Sequence, residues 1–181
     1  MAMNNILVAI FVVFLFALYL SNVAGRLDRL HLKVENARHA LDRQLALRSA
    51  ICSDLSGIEI FDVALRQKLS NAIQTSIKEE SLLIHTRDEW AIESAVSKVL
   101  GEIFHESFDV KKHQEFEFLI KEVAGAARRV QYALTIFNDA VKSVHKVRKR
   151  WLVKGFRLYG RAKMPHVIEF DTAIPVALLH Y

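Results

Sequence analysis

The residues to weigh first for chemistry are Glu102, His105 and Glu106, in the stretch Glu102-Ile103-Phe104-His105-Glu106. Glu-x-x-His sets a carboxylate and an imidazole side by side on one helix face, the spacing with which di-iron helical bundles hold their metals. Such a centre takes that pair twice plus two more glutamates, and this sequence carries it once; Glu35 and His39 stand four apart instead of three. His113 and Glu117 could share an ion at i, i+4, but nothing convergent accompanies them, and the rest of the eight histidines are scattered. There is no Gly-rich phosphate loop, no His-Glu-x-x-His and no nucleophile signature around Ser or Cys. The sequence therefore predicts no catalytic residue, no cofactor, no metal ligand and no enzyme, with a cryptic di-metal bundle enzyme as the last alternative. Glu102, His105 and Glu106 read as a polar helix face.

Cys52 is the only cysteine. It cannot close an internal disulfide and suits a reducing compartment. Set in an apolar helical stripe, it reads as a small core residue rather than a reactive thiol.

A second chemistry is recognition of anions. Between Lys142 and Lys163 stand nine Lys or Arg and no acid, in a chain of net charge +5, so the remainder carries 16 basic against 20 acidic residues. Within this run Lys146, Arg148, Lys149, Arg150, Lys154 and Arg157 interleave with Trp151, Phe156 and Tyr159. Aromatic rings that enter a headgroup boundary beside Lys and Arg that meet phosphates suit an anionic lipid surface. The alternative is that the rings belong to a core and the charges form a solvated face that settles a helix C-terminus. Nucleic acid is not expected, because no groove- or base-stacking element accompanies the run.

The elements that must position these residues are helices. Two Pro and six Gly punctuate 181 residues, and both prolines, Pro165 and Pro175, lie late. No strand-turn-strand pattern appears, so the expected class is all-α. Leu27, Leu30, Val34, Ala37, Leu41, Leu45, Ile51, Cys52 and Leu55 mark one face of a first helix, interrupted by a polar gap at Gln44 and Arg48 and ending near Gly57 as cap. A second helix is predicted over 58–80 on Ile58, Phe61, Leu65, Leu69, Ala72, Ile73 and Ile77. A capping box at Thr86 and Glu89 opens a third, with Trp90, Ile92, Val96, Val99, Leu100 and Ile103 apolar. Asp109 caps a fourth, unbroken in period from Phe116 to Val147 and roughly 60 Å long if it covers 110–150.

All of this follows one uncharged stretch, Ile6 to Ala24, which has the length of about 20 apolar residues that a membrane span requires. Residues 1–25 are expected to be a single-pass anchor, 26–171 an antiparallel up-down bundle and 172–181 a flexible tail. Met1 to Asn5 lack the basic n-region of a secretory signal, although Val23, Ala24 and Gly25 imitate a cleavage site. Arg26, Arg29, Lys33, Arg38, Arg43 and Arg48 follow the span and no Lys or Arg precedes it. Positive-inside bias thus puts the N-terminus outside and the large part in the cytoplasm. An up-down course brings the end of the fourth helix, with its basic run, back beside the anchor. Cys52 would then report orientation, escaping impermeant thiol reagents on intact cells.

Three stretches give the chain a likeness to a known family: Arg29-Leu30, Val34, Ala37, Leu41-Asp42, Gln44-Leu45 and Arg48 after the span; Ala126-Ala127-Arg128-Arg129 before Phe137-Asn138-Asp139-Ala140-Val141; and Gly160-Arg161-Ala162 with Pro165 to Phe170. In these it resembles the LemA family of bacterial membrane-anchored helical proteins, particularly the shorter relatives of high-GC Gram-positive bacteria. It departs from the family's Ile-Pro-Asn-Leu after the first helix, having Ile51-Cys52-Ser53-Asp54-Leu55. The resemblance implies a single-pass inner-membrane protein with an antiparallel bundle and supplies no catalytic residues. The expected function is a membrane-anchored scaffold whose partners are membrane lipid and another membrane or envelope protein, with an anionic-lipid-binding module as the alternative. Self-association stays open, with no small-x-x-x-small motif in the span.

Overall fold

A computed structural model describes residues 2–81, 87–105, 115–156, 158–160 and 162–179. The protein is all-α. Its helices are α1 (Ala2–Ser56), α2 (Val63–Ser81), α3 (Arg87–Ile103), α4 (Glu117–Arg148) and the short α5 (Trp151–Gly155), with a 3-10 turn at Val176–Leu178. The span and the first predicted helix are one continuous α1 of 55 residues. Gly25, the only weak point between them, is tolerated because a single helical glycine costs only about 1 kcal/mol. α1 ends without a left-handed cap. Among the described residues Gly160 alone is a glycine with positive φ, at 52°. At Gly57 the chain instead tightens through i→i−3 bonds, Gly57 N–H to the Asp54 carbonyl (3.1 Å) and Ile58 N–H to that of Leu55 (3.2 Å).

α2 starts five residues later than expected, leaving Ile58 and Phe61 buried in the turn before it, while Ile77 is exposed. α4 has 32 residues, which is about 48 Å and not 60. Thr86, Asp109, Glu106 and His113 lie outside the described residues.

The chain divides into two compact units, 1–38 with 137–167, and 39–136 with 168–181. The division falls within α1, after Arg38, and within α4, before Phe137. α2 and α3, at 19 and 17 residues, accompany only part of each. In the second unit Ile51, Cys52, Leu55, Leu69, Ile73, Val96, Leu100, Ile120 and Val123 share one apolar core. α2 and α3 run antiparallel in it, since Lys68 pairs with Glu102 (3.2 Å) and Ser76 with Glu93 (2.5 Å), so one number rises as the other falls.

The segment expected to be a flexible tail from Thr172 is packed. Leu178 is buried and Ile174 and Ala177 lie against the core; just before the segment, Ile168 is buried and the Asp171 N–H donates to Ser94 Oγ at 3.0 Å. Phe170 stacks on Trp90 with centroids 5.5 Å apart. Burying Leu178 offsets the ordering of only about one or two residues, so Ile174 and Ala177 must share in holding the segment.

Candidate functional site

In the first unit, α1 from Ile6 to Tyr19 buries nothing: consecutive side chains Val12, Val13, Phe14 and Leu15 are each about half exposed or more, so the helix is apolar all the way round. A helix in a protein core shows the opposite pattern. It is long and apolar enough to cross a membrane.

Beyond it α1 acquires a buried side at Leu27, Val34 and Ala37, as α4 does at Phe137, Val141, Val144 and Val147. The pairing is antiparallel. Phe16 meets Phe156 edge-on, centroids 5.6 Å apart, while Tyr19, Asn22, Val23 and Arg26 share a cleft with Val147 and Arg150. The end of α4 thus returns beside the apolar part of α1, as the up-down course requires.

The basic run then separates by role. Arg148, half-buried, reaches back to its own chain: its Nη1 donates to the carbonyls of Ala162 and Lys163, both at 3.1 Å, and its guanidinium lies 4.3 Å from the centre of the Tyr159 ring. His145 Nε2 meets the Pro165 carbonyl at 2.7 Å. Gly160, at positive φ, makes the reversal that brings 162–167 back along α4. Arg148 and Tyr159, expected at a lipid surface, therefore hold the returning segment. Lys146, Lys149, Arg150, Trp151, Lys154 and Phe156 are exposed, Trp151 by 77%. Arg157 lies outside the described residues. α5, unforeseen, is pinned by Val153, which is completely buried.

The second unit holds a polar cluster that sequence reasoning missed. Arg48 is 2% exposed, and its Nη2 forms an ion pair with Glu93 Oε2. The same Nη2 reaches the Glu93 carbonyl (3.3 Å) and Nη1 donates to Ser97 Oγ (3.0 Å), while Ser76 Oγ donates to Glu93 Oε1. Cys52 stands in this field. Burial, first of all, pushes its thiol up to about 12; the Arg48 charge opposes that and the Glu93 charge adds to it. A thiol so buried is unreactive in the folded protein, so Cys52 cannot report orientation as expected.

Glu102 is engaged with Lys68, and Glu117 with Lys121 at 2.7 Å. His105, exposed, lies two residues past the end of α3, so it does not share a helix face with Glu102, and it lines a shallow cleft with Lys98 and Asp171. Among the described residues no three His, Cys, Asp or Glu side chains group as metal ligands. Compared with family models, curated proteins and solved structures, the chain matches none.

Proposed function

We propose that the protein is a non-enzymatic, single-pass membrane scaffold: α1 anchors it in the inner membrane, its larger part lies in the cytoplasm, and the exposed residues of the basic run meet the lipid headgroups. The observation that carries this is the unburied apolar girdle of α1 from Ile6 to Tyr19, a surface whose exposure to water would cost far more than its insertion in lipid. A cleaved signal is the weaker reading. Val23, Ala24 and Gly25 are half-buried inside continuous helix, and a protease would have to unwind them. The LemA likeness, drawn from sequence, agrees with this architecture.

A protein partner is favoured by the outer face of α4, where Phe118 and Tyr132 are about three-quarters exposed and Ile136 nearly half. At about 100° per residue these three fall within roughly 40° of one another.

The test is membrane retention after an alkaline wash combined with intact mass. A chain of 20.7 kDa that stays with the membrane is expected, and is released by V12K/L15K. A shortened mass, or release of the unaltered chain, refutes the anchor. A photo-crosslinker at Tyr132 that gives no adduct in cells, against the same probe at Arg43, refutes the partner face.

A further inference from the structure

We infer that the cleft between α1 and the end of α4 is a phospholipid site, in which Arg26 and Arg150 hold the phosphodiester of a single headgroup; this rests on the anchoring reading. The cleft is lined by Tyr19, Asn22, Val23, Arg26, Val147 and Arg150. The four α1 residues fall at i, i+3, i+4 and i+7, one helix face. Three bring hydrogen-bond donors to it, a phenol, an amide and a guanidinium, and Arg150 brings a second guanidinium from the other helix. Arginine's fork of N–H groups matches phosphate oxygens in pairs.

Charge agrees. Among the described residues neither Arg26 nor Arg150 is paired with a carboxylate. The nearest acid in sequence, Asp28, is two residues on and about 200° round the helix from Arg26. The carbonyls that end α4 would repel an anion, but those of His145 and Val147 already accept the N–H groups of Lys149 (3.0 Å) and Arg150 (3.1 Å).

Size and depth select a headgroup. The cleft is about 170 Å³, several times the ~30 Å³ share of a water molecule and well short of the ~300–1,000 Å³ that encloses a soluble ligand. It accepts a phosphate and leaves the rest of its bearer outside. It sits where the apolar stretch ends, at the level where interfacial Tyr and the first Arg after a span belong. Just above it, Phe16 and Phe156 form an apolar wall along which an acyl chain can lie.

The experiment uses the full chain in mild detergent, with native mass spectrometry counting retained phospholipid and titration with phosphatidylglycerol. One phospholipid per chain is expected. R26Q/R150Q should weaken it about thirtyfold, two charges at a headgroup surface being worth roughly fivefold each and their hydrogen bonds adding to that. Y19F, which removes only a hydroxyl, should weaken it about tenfold and cannot be blamed on misfolding. The charge-matched K33Q/K142Q should stay within about twofold. Equal loss in the two double variants would mean diffuse surface charge and overturn the site, as would Y19F behaving like the wild type. Inorganic phosphate in large excess should not displace the lipid; full displacement would make the site one for soluble phosphate and overturn the lipid assignment. A chain that survives the alkaline wash in the membrane yet retains no phospholipid overturns this site alone, whereas release by the wash overturns the anchoring reading with it.

Discussion

Replacing Arg48 by Met should be among the most destabilising single changes in the protein. Arg48 and Glu93 have side chains 2% and 6% exposed, so the substitution strands a carboxylate in the core with only Ser76 to solvate it. Removing one member of a buried ion pair costs about 3–5 kcal/mol, because the orphaned charge keeps its full desolvation penalty. The assay is built into the same cluster. Cys52 is completely buried, so a small thiol reagent reaches it only when this unit opens. Where closing outruns modification, the labelling rate follows the open population. R48M should therefore label about a hundred- to several-thousandfold faster than wild type. E93Q should be comparable, since it leaves the guanidinium unpaired. The double variant R48M/E93L removes both charges and restores apolar packing. Ser76 loses its acceptor but is only half-buried, and Ser97 Oγ keeps the Glu93 carbonyl at 3.3 Å. It should fall within about 2 kcal/mol of wild type. Labelling of R48M within threefold of wild type, or a double variant as fast as the worse single, would refute the view that the pair is a coupled, desolvated unit.

Three further outcomes are expected. Cys52 has a folded-state thiol raised from 9.0 to about 12, so the folded form holds its proton longer than the unfolded one. Stability should then fall as pH rises above 9, by about 1.4 kcal/mol per unit, a slope that C52A abolishes and that urea melts at pH 8.5 and 10 will measure. Trp151, the lone Trp once Trp90 is replaced by Phe, should be quenched by bromine on lipid acyl chains near the headgroups; no quenching in reconstituted vesicles would count against lipid contact. L178A should cost about 2–5 kcal/mol in the same melts, against nearly nothing for a side chain in a free tail.

Much of the fold was legible because helical period is a local signal. Leu27, Val34, Ala37, Leu41 and Leu45 on α1, and Val123 to Val147 on α4, are buried as their spacing requires. The α3 stripe was read slightly rotated: Glu93 and Ser97 are buried where Ile92 is only half-covered. The signal was present, since Glu93 stands three residues from both Trp90 and Val96 and Arg48 three from both Leu45 and Ile51. A charge on an apolar stripe reads as an interruption until a partner 45 residues away is known to face it. The packed end of the chain was illegible for a different reason. Ile174, Ala177 and Leu178 have no period to betray them, and their packing depends on the groove that other helices make. The bonds from Arg148 to Ala162 and Lys163 were not legible, because composition cannot show which carbonyls of its own chain a guanidinium meets.

The place of Leu178 bears on how the protein is made. It lies in the core that Cys52 and Leu55 also line, more than 120 residues earlier in the chain. At synthesis rates of about 5–20 residues per second, some 6–25 s separate the appearance of Cys52 from that of Leu178. Throughout that interval the apolar stretch at Ile6 has already been made, while the core it precedes still lacks its last side chain. A nascent chain stalled short of residue 178 would therefore carry an open apolar groove on the second unit, with the span-length apolar stretch already made.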